Sequence, residues 1–180
     1  MEENKAKESA LLRAWRSLLD PQKIPGPVLD LACGDGRNGI FAARLGLPVI
    51  CCDRSRQALR QARAAARDAG VTIRLWWKDL EVEGQPHLPA NAFGAVFVFR
   101  YLHRPLMPEI LRAVRPGGYV FYETFTEGQT RYGPPRNPAH LLKPGELAVI
   151  FAEWDRLEYF EGELQNPDRA MARIVARKPG

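Results

Sequence analysis

The chain has 180 residues, of which 46% are hydrophobic and 26% are charged, values typical of one globular domain and not of a disordered or fibrous chain. No apolar run approaches the ~18 residues of a bilayer-spanning helix, and the acidic amino terminus lacks the apolar segment of a secretory signal. We therefore expect a cytoplasmic protein without a membrane partner, and the net charge of +5 permits an anionic partner without requiring one.

The first predicted element is an amphipathic helix over residues 2–20, which we expect to pack on a domain formed by residues 21–180. Five apolar runs then predict strands, and turn residues and helical segments separate them. The strands are predicted at 28–32, 49–53, 72–77, 95–100 and 119–124, and the helices at 38–45, 55–69 and 106–114.

The remaining segments are less regular. Residues 83–91 are rich in glycine and proline, so they predict either a loop or a very short helix. The polar stretch 126–144 is either a solvated loop or a lid over a site. A last helix at 145–152 is followed by two runs, 156–162 and 172–177, that a turn at 165–168 joins into a hairpin. Strands that are apolar on nearly every residue are covered on both faces, so the sequence predicts a doubly wound α/β fold with a mostly parallel sheet.

The most informative segment is a strand that runs into a glycine-rich turn and then into a helix, over residues 28–38. Gly34 and Gly36 let the backbone turn sharply and let a ligand approach closely. Asp53 ends the second predicted strand, where a carboxylate can accept both hydroxyl groups of a ribose. Together these features predict a nucleotide-binding site.

The charged residues near the glycine turn help to decide which nucleotide would bind there. Gly39 completes the glycine pattern of a dinucleotide site, but Asp30 and Asp35 would face the negative pyrophosphate of a dinucleotide. S-adenosylmethionine has a ribose and an adenine but no phosphate, and its sulfonium and ammonium groups are positive. The two carboxylates therefore favour S-adenosylmethionine over a dinucleotide.

On these motifs the sequence resembles the class I S-adenosylmethionine-dependent methyltransferases over residues 28–178. The Gly36-Arg37-Asn38 step resembles the small methyltransferases of the tellurite-resistance type. The resemblance implies a Rossmann-like, seven-stranded sheet with an antiparallel terminal strand. It also implies S-adenosylmethionine as the cofactor and S-adenosylhomocysteine as the product.

The resemblance also assigns residues to the cofactor. It places the methionine part on Asp30 and the turn from Ala32 to Gly36, the ribose on Asp53, and the sulfonium end beside Arg100. Ala32 stands where the family has its first glycine. It places the adenine beside Asp79 and Leu80, which follow the third predicted strand. The full predicted cofactor-binding set is Asp30, Ala32, Cys33, Gly34, Gly36, Asn38, Asp53, Arg54, Asp79, Leu80 and Arg100.

Methyl transfer depends mainly on holding the acceptor in line with the methyl group, so it does not require a strong base. The candidate catalytic residues are His103, Tyr101 and Glu123, for which backbone capping, core packing and pairing with an arginine are the structural alternatives. We expect a small-molecule acceptor and no metal site. Substrates of such sheets bind outside the carboxyl ends of the strands, which makes residues 100–104 and the segment after Glu123 candidates for the acceptor pocket. The candidate substrate-binding residues are Arg104, Arg131, Tyr132 and Arg136, with His140, and the positive charge of the arginines suggests an anionic acceptor.

Three alternatives remain open. An RNA or protein methyltransferase fits the pI near 9.3 and the arginines that recur over residues 56–67, but no aromatic residues interleave with them and no RNA-binding module is evident. Nucleic acid is therefore the less favoured partner. The other two alternatives are a binding protein without catalysis and a dinucleotide-dependent oxidoreductase.

Cys33, Cys51 and Cys52 lack the spacing of metal ligands or of a disulfide framework, so we expect them to be small core residues in a reducing compartment.

Overall fold

The structure of the protein is a computed structural model that describes residues 7–84 and 86–180. Within these residues the chain forms five α-helices and seven β-strands. The helices are α1 (Ala10–Ala14), α2 (Arg37–Arg44), α3 (Arg56–Asp68), α4 (Met107–Ala113) and α5 (Glu146–Ile150). The strands are β1 (Val28–Leu31), β2 (Val49–Asp53), β3 (Arg74–Trp77), β4 (Phe93–Phe99), β5 (Val114–Phe125), β6 (Asp155–Leu164) and β7 (Arg169–Arg177).

The seven strands form one sheet in the order β3-β2-β1-β4-β5-β7-β6. The pairs from β3 to β5 are parallel, and β7 is antiparallel to both of its neighbours. This arrangement confirms the predicted doubly wound fold with an antiparallel strand. The strand order reverses between β1 and β4, and ligands of such sheets bind at this switch point, outside the carboxyl ends of the strands.

The core lies on both faces of the sheet. In β4, Val96 and Val98 belong to one buried cluster, whereas Ala95 and Phe97 belong to another. Successive residues of a strand point to opposite faces, so the two clusters lie on the two sides of the sheet. The continuous burial of β4 explains why its sequence is apolar at every position from Ala95 to Phe99.

Local sequence signals set the ends of α3 as predicted. The Ser55 side chain accepts a hydrogen bond from the Ala58 amide at 3.1 Å, which caps the first turn. Gly70 follows the helix with φ +69°, a left-handed conformation that favours glycine. The strand β2 has the predicted bounds.

The amino-terminal helix is shorter than predicted. Helix α1 has five residues and leads into a 3-10 turn at Arg16–Leu18. It starts at Ala10 because the Ser9 side chain accepts a hydrogen bond from the Leu11 amide, and Lys7 to Ser9 are not helical. Residues 2–6 of the predicted helix lie outside the described residues. Its buried residues, Leu11 and Leu12, pack in the cluster that includes Phe97.

Two parts of the chain differ from a regular alternation of strands and helices. The described residues between β3 and β4 contain no helix, so the predicted crossover is a loop over 83–84 and 86–91. Strand β5 begins at Val114, five residues before the predicted start, because Gly117 at φ +74° lets the chain bend within the strand. Gly118 then lies so close to β4 that a Cβ atom there would stand 2.7 Å from the Gly94 carbonyl oxygen.

The long stretch 126–144 closes back onto the end of β5. It contains two 3-10 turns, at Glu127–Arg131 and Pro138–His140. The Leu142 amide donates to the Phe125 carbonyl at 2.9 Å, and Leu142 is buried. The segment thus lies at the carboxyl edge of the sheet, and its role as a lid stays a prediction. Among the described helices, none combines the length and the hydropathy that crossing a bilayer requires.

Candidate active site

The glycine-rich turn after β1 adopts left-handed backbone conformations. Ala32, Gly34 and Gly36 have φ values of +53°, +56° and +76°. A Cβ atom on Gly36 would stand 2.7 Å from the Ala62 Cβ atom of α3. Glycine at this position therefore allows both the turn and the close approach of α3.

Asp30 lies beneath this turn. It is 2% exposed, and its Oδ2 atom accepts a hydrogen bond from the Gly39 amide of α2 at 2.8 Å. Burial raises the pKa of Asp30 from 3.8 to about 7, although the Gly39 hydrogen bond acts in the opposite direction. Asp30 thus fixes α2 against β1, and its charge is weaker near neutral pH than the argument from the sequence assumes.

Asp53, at the end of β2, joins two parts of the site. Its Oδ2 atom accepts a hydrogen bond from the Gly34 amide at 2.9 Å, and its Oδ1 atom accepts one from the Ser55 amide at 2.7 Å. The carboxylate therefore holds the glycine turn beside the start of α3. Each oxygen keeps a further acceptor site for a ligand.

A cavity of about 410 Å³ opens at the carboxyl edge of the sheet. The cofactor-binding residues predicted from the sequence divide into two groups. Those that line the cavity are Ala32, Asp53, Arg54, Asp79, Leu80 and Arg100. Those outside its lining are Asp30, Cys33, Gly34, Gly36 and Asn38.

The second group supports the walls of the site. The buried Asn38 accepts a hydrogen bond from the Ser9 amide at 2.8 Å through Oδ1, which ties α2 to the amino-terminal segment. The Cys33 amide donates to the Cys52 carbonyl at 3.0 Å. The three cysteines have free thiols, and Cys51 and Cys52 are fully buried, as expected of core residues.

The three candidate catalytic residues lie in different surroundings. Tyr101 lines the cavity, and its hydroxyl oxygen is buried without a hydrogen-bond partner among the described residues. Burial raises the pKa of Tyr101, and the nearby Glu81 raises it further. His103 lines a neighbouring cavity of about 320 Å³ and not the main one. Tyr101 is thus the one of the three that lines the main cavity.

Glu123 lies near the end of β5, outside the lining of the main cavity. Its carboxylate accepts a long hydrogen bond of 3.4 Å from the Ser9 hydroxyl. Its backbone carbonyl accepts one from the Arg100 amide at 2.8 Å. Burial raises the pKa of Glu123, whereas Arg173 lowers it.

The four candidate substrate-binding residues lie outside the cavity lining. Arg104 donates to both carboxylate oxygens of Glu146, at 2.7 and 2.8 Å, and to the Leu141 carbonyl, so it anchors the long loop. Arg131 pairs with Glu163. Tyr132 and Arg136 are exposed. Their roles in binding stay predictions.

The loop and the strand ends contribute other residues to the cavity. Pro135 and His140 enter its lining from the long loop. Leu102, together with Thr124 and Phe125 from the segment after Glu123, lies in the lining, where the sequence predicts the acceptor pocket. Sequence reasoning missed Lys78 and Glu81, and their position shortly after β3 at the carboxyl edge was the available signal.

Comparisons with known proteins agree with this geometry. The sequence profile of a family described as "Methyltransferase domain" matches residues 28–118, about half of the chain. The chain is 28% identical over 170 residues to Hemagglutinin 1 of Eikenella corrodens, covering 87% of this chain and 56% of that protein. It is 26% identical over 166 residues to a probable S-adenosyl-L-methionine-dependent methyltransferase, TehB, of Haemophilus influenzae, covering 87% and 57%. This chain therefore spans about half the length of these curated relatives.

A solved structure of similar size shows the same fold. The S-adenosylmethionine-dependent methyltransferase from Mesorhizobium loti superposes with a TM-score of 0.71 at 19% identity. The match covers 94% of this chain and 99% of that one. Most of this fold thus has a counterpart in a single solved chain.

Proposed function

Because this chain belongs to the class I S-adenosylmethionine-dependent methyltransferase family, we propose that it transfers the methyl group of S-adenosylmethionine to a small-molecule acceptor. The observation that carries the proposal is the cavity at the switch point of the sheet, lined by Asp53 at the end of β2 and by Asp79 and Leu80 after β3. We place the reaction in the cytoplasm, a location that the free thiols support.

The residues present fit this cofactor. Asp53 retains acceptor sites for two ribose hydroxyl groups after it has bound the Gly34 and Ser55 amides. Asp79 accepts one hydrogen bond from the Glu81 amide at 3.0 Å and keeps its other oxygen for an exocyclic amine. Leu80, 4% exposed, offers an apolar surface to the adenine ring.

The chain provides positioning and does not need a strong base. The bound cofactor supplies an electrophilic methyl group on its sulfonium sulfur. The Tyr101 hydroxyl, buried without a partner, is available to hydrogen-bond an acceptor inside the cavity. Holding the acceptor in line with the methyl group lowers the entropic part of the barrier. Phe125 and Leu102 add apolar walls that exclude water.

The size of the cavity supports a small acceptor, and two of its lining groups suit an anionic one. A space of about 410 Å³ that also receives the cofactor leaves little room for a large acceptor. Arg100, which the resemblance places beside the sulfonium end, and His140 line it, whereas the arginines proposed for the acceptor, Arg104, Arg131 and Arg136, lie outside the lining. Arg100 and His140 are therefore the groups that we assign to an acceptor carboxylate or oxyanion.

Calorimetric titration with S-adenosylhomocysteine tests the cofactor site. We expect binding to the wild type and a loss of about tenfold or more in Asp53→Ala, since the hydrogen bonds to the ribose are removed. Asp155→Ala removes an exposed carboxylate from β6, at the far edge of the sheet, and is the matched control. Absence of binding to the wild type, or equal loss in the control, would contradict the proposed site.

A second experiment tests the acceptor. Cell extract is incubated with the enzyme and radiolabelled S-adenosylmethionine and is then separated into small molecules, RNA and protein. We expect label in the small-molecule fraction and reduced transfer by Arg100→Gln. Label confined to RNA or protein would refute the small-molecule acceptor while leaving the cofactor site intact.

A further inference from the structure

A second concave surface lies at the β3 edge of the sheet. This α3–β3 groove is lined by Arg56, Leu59, Arg60, Arg63, Leu75 and Trp77, and its volume is about 290 Å³. It shares no lining residue with the methyl-transfer cavity. Because β3 is an edge strand, no further strand of the described chain covers this side.

The helix side of the groove is positively charged. Arg56, Arg60, Arg63 and Arg67 are all exposed on α3, next to the helix face that Leu59, Ala62 and Ala66 bury. Of the four, only Arg67 has a carboxylate within 4.0 Å in the part of the chain that the structure describes, that of Asp68 at 3.8 Å. At 1.5 Å per residue the stripe is about 16 Å long, the length of a few nucleotides.

The strand side contributes an aromatic ring. Trp77 is 55% exposed, and its Nε1 atom donates to the Arg54 carbonyl at 2.9 Å, which fixes the indole in place. The Arg56 guanidinium carbon lies 3.9 Å from the centre of the ring. Within the helix sequence no aromatic residue interleaves with the arginines, but the fold brings one beside them from β3.

We propose that the α3–β3 groove binds single-stranded nucleic acid. A base stacks on the open part of Trp77, and the phosphates follow Arg60 and Arg63 along α3. Leu59 and Leu75 form an apolar floor beneath the base. Stacking and charge together favour a nucleic acid over an acidic protein segment, which would use the arginines but not the exposed part of the indole. The groove is separate from the cavity, so the proposal does not depend on the methyl acceptor.

Fluorescence anisotropy with a labelled RNA of about 12 nucleotides tests the charge contribution. We expect Arg60→Gln/Arg63→Gln to bind about tenfold more weakly at about 100 mM salt, and the slope of log K against log salt to fall by about 1.4. The control, Arg112→Gln/Arg156→Gln, removes the same charge from exposed positions on α4 and β6 and should bind like the wild type.

A second variant tests the stacking. Trp77→Leu should weaken binding by about fivefold or more while leaving the salt slope unchanged, since no phosphate contact is lost. Far-ultraviolet circular dichroism and the thermal midpoint check that each variant keeps its fold, because Trp77 contacts Arg54 of the cavity and cofactor binding alone would not be an independent check. Failure of the wild type to bind RNA, an equal loss in the control pair, or displacement of the RNA by polyglutamate at equal charge would overturn the proposal. The last result would assign the groove to an acidic protein segment.

Discussion

Replacing Asp30 with asparagine removes a carboxyl group that the fold buries almost completely, at 2% exposure. Burial raises the pKa of this group from 3.8 to about 7, so the folded protein holds the proton more tightly than the unfolded chain does. The contribution of Asp30 to stability is therefore greatest below pH 4 and is lost as the pH rises through 7. The full cost of the ionised form is about 4 kcal/mol.

Asparagine has nearly the same shape, and its oxygen can still accept from the Gly39 amide. We expect the stability of Asp30→Asn relative to the wild type to rise by about 3 kcal/mol between about pH 5 and pH 8. Urea unfolding followed by tryptophan fluorescence at both pH values gives this difference, in which any pH-independent effect of the substitution cancels. A constant difference at the two pH values would refute the assignment of the raised pKa to Asp30.

Three further substitutions test the turn and the cavity. Ala32→Gly should raise the free energy of unfolding by about 1 kcal/mol, because glycine adopts φ +53° without strain; an unchanged thermal midpoint would contradict this. Gly36→Ala should lower it by about 1 kcal/mol or more through strain and the contact with Ala62, and calorimetry would show a reduced midpoint. Tyr101→Phe should not lower stability, since the hydroxyl is buried without a hydrogen-bond partner among the described residues, yet it should lower kcat/KM about tenfold; full activity would exclude a contact with the acceptor.

The sequence predicts the parallel half of the sheet well, because burial on both faces leaves a direct trace in composition. The apolar runs of β2 and β4 have this character, and the Ser55 cap and Gly70 mark the ends of α3. The start of β5 was less predictable. The polar and glycine residues before Tyr119 suggest a turn, but the bend at Gly117 keeps them within the strand.

The residues of the candidate site also divide into those that the sequence predicts and those that it does not. Asp53, Asp79 and Leu80 were predictable because each lies at a strand end with a known relation to the glycine turn. The acceptor side depends on contacts between distant segments, such as the pair of Arg104 with Glu146, which the order of residues along the chain does not reveal. The same holds for the approach of Trp77 to Arg56.

Ser9 fastens the amino-terminal segment to one helix and one strand. Its amide donates to Asn38 on α2, and its hydroxyl donates to Glu123 on β5. Displacement of Ser9 from α2 breaks the hydrogen bond of its amide, whereas Leu11 and Leu12 hold the helix that follows in the core. The two bonds together contribute about 2 kcal/mol. Hydrogen exchange at the Ser9 amide therefore measures how often the amino-terminal segment detaches from the helix that follows the glycine turn.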